Sequence, residues 1–217
     1  MNHHSKALIT ACFLFIALTS TAFAQSSKVE RIASAPASAP HEVTAALDDK
    51  GYRITLDDGW AAELWIAKDL KLTKNDSPGA LYPELSNGEF VGLINLRKGM
   101  SDFRGQAVPA GLYTLRYQLL PADANHLGVS PDPDFLLAIP VADDPKPDAQ
   151  YPFDKLVALS ARTTGAHPAV IAMAKAGEPN TAAFNEDKML IVTVSAKPAG
   201  ASNPDKLGII LKGQAAQ

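Results

Sequence analysis

Residues 108–144 read VPAGLYTLRYQLLPADANHLGVSPDPDFLLAIPVADD and carry the strongest strand signal in the chain. A Pro-Ala-Gly turn at 109–111 opens the segment, since proline presets φ for a turn and glycine accepts positive φ. From 112 to 119, apolar side chains alternate with Thr114, Arg116 and Gln118, which is typical of a half-buried strand. The apolar run at 135–139 is typical of a strand that is covered on both faces. The segment therefore predicts two buried strands joined by a polar loop.

The connecting loop, 122–133, has about a dozen residues, whereas hairpin connections usually have about 2 to 5. Long loops are often functional or mobile. This loop holds His126 and Asp132, and it ends at Asp134. It is therefore the first place to look for a binding site.

The rest of the chain repeats the pattern of short apolar segments separated by turn residues. Further strands are predicted at 42–47, 52–56, 60–66, 90–96, 169–174, 188–195 and 206–211. A helix is predicted at 153–162, with Phe153, Leu156, Val157 and Ser160 on one face. Helical patterns between the strands, which a doubly wound α/β fold requires, are missing. We therefore expect a mostly β protein: a single antiparallel β-sandwich or jelly-roll domain with one or two short helices.

The N-terminus has the pattern of an export signal. Lys6 gives a short basic region, 7–18 is apolar, and Ala-Phe-Ala at 22–24 fits the cleavage rule, so 1–24 is predicted to be a signal peptide. The apolar run is shorter than the roughly 20 residues that span a bilayer. A lipidation box ending at Cys12 is the alternative, but the apolar run continues past that cysteine. A periplasmic or secreted protein is predicted, with a flexible Ala/Ser/Pro-rich tether at 25–41 and the folded domain at 42–217.

The composition excludes several classes of function. Cys12 is the only cysteine, so the cleaved chain would have no disulfide, thiolate metal site or cysteine nucleophile. Loss of Lys6 with the leader takes the net charge from −3 to −4, which argues against nucleic acid or an anionic membrane surface as partner. No glycine-rich phosphate loop is present. We expect no cofactor and no membrane span after cleavage.

Four segments carry a family resemblance: VPAGLYTLRYQL, ANHLGVSPDPDFLL, SARTTGAHPAV and the closing MLIVTV…LGIILKG. Together they resemble a group of uncharacterised exported proteins of environmental bacteria, over most of the domain. The PAGLYTL element also resembles the PAGTYSL-like turn of DUF2911-type secreted β-sandwich proteins. The resemblance implies export and a β-sandwich. It implies no reaction and supplies no catalytic residue.

The candidate ligand-binding residues are His126, His167, Asp134, Arg116 and Arg162. The two histidines and Asp134 would form a metal site if their loops met at one end of the sandwich, although no fixed ligand spacing is present. The alternative is that Asn125, His126 and Asp134 cap turns.

The arginines Arg104, Arg116 and Arg162 are candidates for holding an anion through bidentate contacts. The alternative for Arg116 is a solvated position on the polar side of its strand. Ser130 and Ser160 lack the G-x-S-x-G context of a hydrolase nucleophile. Three aromatic residues fit either a carbohydrate platform or the core; they are Trp60, Trp65 and Tyr113.

From these observations we expect an exported, non-enzymatic protein that binds a small ligand or an envelope protein. A metal-binding protein or metal-dependent enzyme using His126, His167 and Asp134 is the alternative. A structural accessory domain without a pocket is the third possibility.

Overall fold

The structure, a computed structural model, describes residues 26–73, 77–120, 129–200 and 205–214. The strands in this part of the chain are β1 (Ser27–Ile32), β2 (Gly51–Leu56), β3 (Ala61–Ile66), β4 (Phe90–Leu96), β5 (Met100–Ser101), β6 (Ala107–Val108), β7 (Gly111–Leu119), β8 (Asp134–Pro140), β9 (Ala169–Ala174), β10 (Thr181–Phe184), β11 (Leu190–Ala196) and β12 (Asp205–Lys212). The helices are α1 (His41–Ala46) and α2 (Phe153–Thr164). Neither of these described helices is long and apolar enough to cross a membrane.

Ten of these strands form one antiparallel sheet in the order β1-β2-β3-β4-β7-β8-β9-β12-β11-β10, and β5 and β6 form a separate hairpin. The sheet curls until its edge strands, β1 and β10, lie beside each other, and the Ser27 hydroxyl donates to the Ala182 carbonyl at 2.5 Å. The Tyr52 hydroxyl accepts a bond from the Ser195 backbone N–H at 3.2 Å, which joins β2 to β11. The predicted mostly β, antiparallel, sandwich-like domain is confirmed, and its walls are opposite parts of one nearly closed sheet.

The prediction of a flexible tether at 25–41 is wrong for its first half. Residues 27–32 form β1, which pairs along its whole length with β2, from Ser27 opposite Leu56 to Ile32 opposite Gly51. Val29 and Ile32 pack against the central core. An edge strand needs few apolar side chains, so β1 has no clear strand pattern in the sequence. The Ala, Ser and Pro residues around it indicate a flexible segment instead.

The prediction of a strand at 42–47 is also wrong, because this segment forms the short helix α1. Val43 and Leu47, four residues apart, are both buried, which is the spacing of one helical face. The short strands β5, β6 and β10 were not predicted. The other predicted strands are confirmed to within two residues at each end.

Alternate side chains of β8 enter two different cores, whereas those of β7 alternate between the large core and a buried polar face. Tyr113, Leu115 and Tyr117 of β7 join Leu136 and Ala138 of β8 in the large core that the curled sheet encloses. These side chains are between 0 and 6% exposed, so the inside of the sheet is filled at this position. The opposite face of the same two strands is covered by α2 and the chain that precedes it.

Helix α2 packs its apolar face on β8, where Leu156 and Leu159 contact Leu137 and Ile139. The predicted helix at 153–162 is confirmed and continues for two more residues. Its buried face consists of Leu156, Leu159, Ser160 and Thr163. Gly165 ends the helix in the left-handed region, at a φ of 80°, and its backbone N–H donates to the Ala161 carbonyl at 2.8 Å.

Candidate functional site

Asp134, the predicted carboxylate ligand, is fully buried and bound by protein donors. Its two oxygens accept bonds from the backbone N–H groups of Leu81 and Tyr82, at 2.5 and 2.9 Å, and from the Tyr117 hydroxyl at 2.6 Å. Burial and the bond to this carboxylate raise the pKa of Tyr117, so the hydroxyl stays protonated as a donor. Asp134 therefore fixes the 81–82 turn to β7, and the prediction that it binds a ligand is corrected.

Of the two predicted histidines, only His167 lies among the described residues, and it does not contact Asp134 there. His167 is exposed in the loop after α2, where its carbonyl accepts a bond from the Thr164 hydroxyl at 2.5 Å. His126 lies outside the described residues. Among the described residues, no three His, Cys, Asp or Glu side chains lie close enough together to hold a metal ion.

Arg116 is fully buried, so the expectation of a solvated or ligand-binding side chain is wrong. Its Nε and Nη2 donate to the two oxygens of Asp144, both at 2.7 Å, and Asp144 is also fully buried. Its remaining N–H groups donate to four backbone carbonyls, at 2.8 to 3.3 Å. These carbonyls belong to Gly88, Lys146, Pro147 and Ala149. Arg116 therefore clamps the 144–149 loop onto the outer face of β7.

The other predicted anion ligand, Arg162, forms a surface ion pair with Asp143 at 2.6 Å, and 58% of its side chain is exposed. Arg116 and Arg162 therefore each bind one of two consecutive aspartates, one buried and one at the surface. They do not converge on a shared anion site.

The buried serines are structural. The Ser160 hydroxyl donates to the Ala138 carbonyl at 2.9 Å and accepts a bond from the Ala169 backbone N–H at 3.0 Å. The Ser130 hydroxyl donates to the Asp134 carbonyl at 3.0 Å. Each hydroxyl thus holds neighbouring backbone in place, and neither contacts an imidazole in the described structure.

The three aromatic candidates are core residues, as the alternative interpretation predicted. Trp60, Trp65 and Tyr113 are 4%, 2% and 6% exposed, which leaves no face for a sugar to stack on. Two of them bond to backbone: the Trp65 indole N–H donates to the Ala33 carbonyl at 2.9 Å, and the Tyr113 hydroxyl donates to the Pro109 carbonyl at 2.9 Å. Trp60 differs, because its indole N–H has no hydrogen-bond partner among the described residues.

Trp60 lies in the wall of an open groove of about 760 Å³ at one end of the sheet. We call this the end groove. The β5–β6 hairpin supplies Met100 and Val108, the end of β12 supplies Lys212, and the turn between β10 and β11 supplies Lys188. The walls therefore combine apolar side chains with an indole and two ammonium groups.

The Asp57-Asp58-Gly59 turn connects Trp60 to Lys212. One oxygen of Asp58 accepts the Trp60 backbone N–H at 2.7 Å, and the other accepts the Lys212 ammonium at 3.1 Å. Two hydrogen bonds hold the pKa of Asp58 below its usual value: the larger effect comes from the backbone N–H of Trp60 and the smaller from the Lys212 ammonium. The ammonium lies 5.0 Å from the centre of the Trp60 ring, within cation–π range. The cation is therefore held next to the unpartnered indole.

The opposite wall is a rigid turn. The Asn185 backbone N–H donates to the Met189 carbonyl at 3.0 Å, and its side-chain oxygen accepts the Met189 N–H at 2.8 Å. Within this turn Lys188 has a φ of 60°, a left-handed conformation that few non-glycine residues adopt. The turn thus places the exposed Lys188 side chain at the groove.

The chain matches no protein-family model, no curated protein and no solved structure. The function of the end groove must therefore be inferred from its own residues.

No sequence pattern identified the end groove, because its walls come from four segments that are far apart in the chain. The hydrophobic period around Trp60 predicts a core position. It contains no information on whether the indole N–H has a hydrogen-bond acceptor. A positive φ at Lys188 has no sequence signal, since left-handed residues are usually Gly, Asn or Asp. Only the folded sheet brings these groups together.

Proposed function

We propose that this protein is an exported, periplasmic or secreted, non-enzymatic binding protein that holds a small molecule in the end groove. The observation that carries the proposal is Trp60, a residue that lines the groove and whose buried indole N–H has no hydrogen-bond partner among the described residues. Buried polar groups are nearly always hydrogen-bonded, so an exception at a groove indicates that a ligand supplies the acceptor.

The size and lining of the end groove support a small molecule as the ligand. Its volume of about 760 Å³ falls within the roughly 300–1,000 Å³ of small-molecule sites. Such sites combine apolar walls with a few fixed polar groups. Here Met100 and Val108 are the apolar part, and Trp60 and Lys212 are the polar part.

A protein partner from the envelope is less well supported. Leu72 is the only large apolar side chain classed as exposed among the described residues. Protein-docking surfaces usually contain a contiguous apolar patch, and one exposed leucine does not form one. We therefore favour the small ligand over the envelope protein.

Binding, and not catalysis, accounts for the polar groups at the end groove. An indole N–H donates only, and an ammonium held by a carboxylate fixes a charge. Nucleophilic catalysis would need a nucleophile bonded to a base, and no such pair is found among the described groove residues. An indole donor and a fixed ammonium suit the orientation of a ligand, which is why we favour binding.

Export is supported by the basic, apolar and Ala-Phe-Ala segments of residues 1–24. Intact-mass measurement of the protein from a producing cell tests it. A mature chain that begins at Gln25 is the expected result, and a chain that retains residues 1–24 would contradict export.

Binding is tested by titrating the ¹⁵N-labelled protein with sets of small metabolites that include sugars, amines, alcohols and carboxylic acids. The readout is the pair of indole N–H signals, assigned with Trp60→Phe and Trp65→Phe. A ligand in the end groove should move the Trp60 signal saturably, while the Trp65 signal stays in place because that N–H is already bonded to Ala33. If no compound class moves the Trp60 signal, the proposed binding function is wrong.

A further inference from the structure

We infer that the end groove selects a small organic monocarboxylate with an apolar body. This inference rests on the proposed binding function and adds the chemical class of the ligand. It follows from three features of the residues that line the groove: an unpartnered donor on Trp60, a fixed cation 5.0 Å from the centre of the same ring, and apolar side chains in the same lining.

The first feature requires an acceptor. The Trp60 indole N–H can only donate, so the ligand atom next to it must carry a lone pair. Trp60 is 4% exposed, and the bond would therefore form in a largely water-excluded place. Ligands without an acceptor leave this donor unpaired, and a site of this kind discriminates strongly against them.

The second feature favours a negative charge on that acceptor. The Lys212 ammonium lies 5.0 Å from the Trp60 ring centre, and Asp58 holds it there through an ion pair at 3.1 Å. With 28% of its side chain exposed, Lys212 is neither free in solvent nor buried. The lining thus holds a cation close to the Trp60 ring, which favours an acceptor that carries negative charge.

The charge balance of the end groove limits the ligand to low charge. Lys188 and Lys212 line the groove, and Asp187 lines it with them. Asp58 neutralises part of the Lys212 charge from behind. With Asp187 counted, the lining carries a net charge of +1, and a phosphate or dicarboxylate would bring more negative charge than that, so a monoanion fits best.

The third feature is the apolar wall. Met100, Val108 and Pro109 line the side of the groove that the β5–β6 hairpin builds. Each methylene of a ligand that this wall buries gains free energy from leaving water. Methionine adapts its shape to differing partners, which suits an aliphatic or aromatic body of variable outline. The head and body of the ligand would therefore contact different walls.

The experiment compares three probes of equal chain length and different head groups: hexanoate, 1-hexanol and hexylammonium, each titrated at pH 7 into the ¹⁵N-labelled protein. Hexanoate should move the Trp60 indole signal downfield, and the shift should saturate. Its affinity should be about tenfold or more above that of hexanol, because hydrogen bonds to charged groups are stronger than those to neutral groups. Hexylammonium should leave the signal unchanged. Added salt should weaken the hexanoate response, since Lys212 is partly exposed.

Variants separate the contributing groups. Trp60→Phe keeps the ring and removes the N–H, so hexanoate affinity, followed at the Gly213 backbone amide, should fall about tenfold. Lys212→Gln should lower it about threefold to fivefold, as expected for a partly exposed ion pair. Lys206→Gln is the matched control, because this lysine lies at the other end of β12 and donates to the Gly177 carbonyl at 3.1 Å. It should leave affinity unchanged.

The possible failures are distinguishable. If hexanol binds as tightly as hexanoate, or hexylammonium binds and hexanoate does not, the groove binds ligands but the inferred class is wrong. If the Lys206 and Lys212 variants lose affinity equally, the fixed-cation argument is wrong. If neither these probes nor the metabolite sets move the Trp60 signal, the binding function itself fails.

Discussion

Removal of the Asp144 carboxylate tests whether the buried clamp on Arg116 stabilises the fold. Both side chains are completely buried, and both carboxylate oxygens accept guanidinium N–H groups at 2.7 Å. Asp144→Ala leaves Arg116 with carbonyl acceptors only and without its bound carboxylate, and it also removes the acceptor that Thr114 bonds at 2.8 Å. Loss of one partner of a buried pair costs about 3–5 kcal/mol. The free energy of unfolding of a domain is only about 5–15 kcal/mol, so this loss would be a large fraction of it.

The preceding residue provides the control. Asp143 pairs with Arg162 at 2.6 Å, a comparable distance, but 58% of the Arg162 side chain and 28% of the Asp143 side chain are exposed. Surface pairs of this kind contribute about 0–1 kcal/mol. Asp143→Ala should therefore lower the free energy of unfolding by no more than about 1 kcal/mol, although the substitution and the loop are the same.

Urea unfolding followed by tryptophan fluorescence measures both variants, since Trp60 and Trp65 are buried in the folded protein. A double-mutant cycle with Arg116→Met adds the coupling energy of the pair, which should exceed about 1 kcal/mol for residues in contact. If Asp144→Ala and Asp143→Ala cost the same within error, burial does not determine the strength of this pair and the reasoning is refuted.

Two further variants test buried polar groups elsewhere. Burial raises the pKa of Glu89 from its ordinary 4.5, so the folded chain keeps this proton above the pH at which the unfolded chain releases it. Stability should therefore fall as pH rises through that window, and Glu89→Gln should remove the fall and raise stability at pH 7; an unchanged pH profile would contradict this. Tyr82→Phe removes a hydroxyl that donates to Ala174 and accepts from Gly208, both at 2.7 Å. It should cost about 1–3 kcal/mol and speed hydrogen exchange at Gly208; unchanged exchange would show that the hydroxyl does not join β9 to β12.

The strands were predictable because their burial follows rules that short windows of sequence contain. The apolar runs at 90–96 and 169–174 match β4 and β9 residue for residue, since strands covered on both faces need apolar side chains at nearly every position. The helix at 153–162 was predictable from its 3.6-residue period. These signals fix the antiparallel β class before any tertiary contact is considered.

The same reasoning failed where a distant segment changed the environment of a side chain. Thr114, Arg116 and Gln118 occupy the polar face of β7, and alternation predicts that such a face meets solvent. In the folded chain the 144–149 loop and Tyr151 lie over Arg116 on that face, and all three side chains are no more than 2% exposed. A two-residue period shows that one face of a strand is more polar than the other. It does not show whether another segment of the chain covers the polar face. The acceptors of Arg116 lie about 30 residues away in the chain, so a short window of sequence does not predict this clamp.

The filled interior of the sheet explains why a ligand site at its end is physically reasonable. Leu64, Ile94, Leu115 and Leu136 are completely buried in one continuous core, so a ligand inside would have to displace packed side chains. At the end of the sheet, strands stop and turns replace them, so side chains there are held without filling the space between them. A donor such as the Trp60 N–H can remain unpaired at that boundary at a cost of about 1–3 kcal/mol. A ligand that satisfies it would gain the same amount, and this difference is the physical basis of the selectivity that we propose for the end groove.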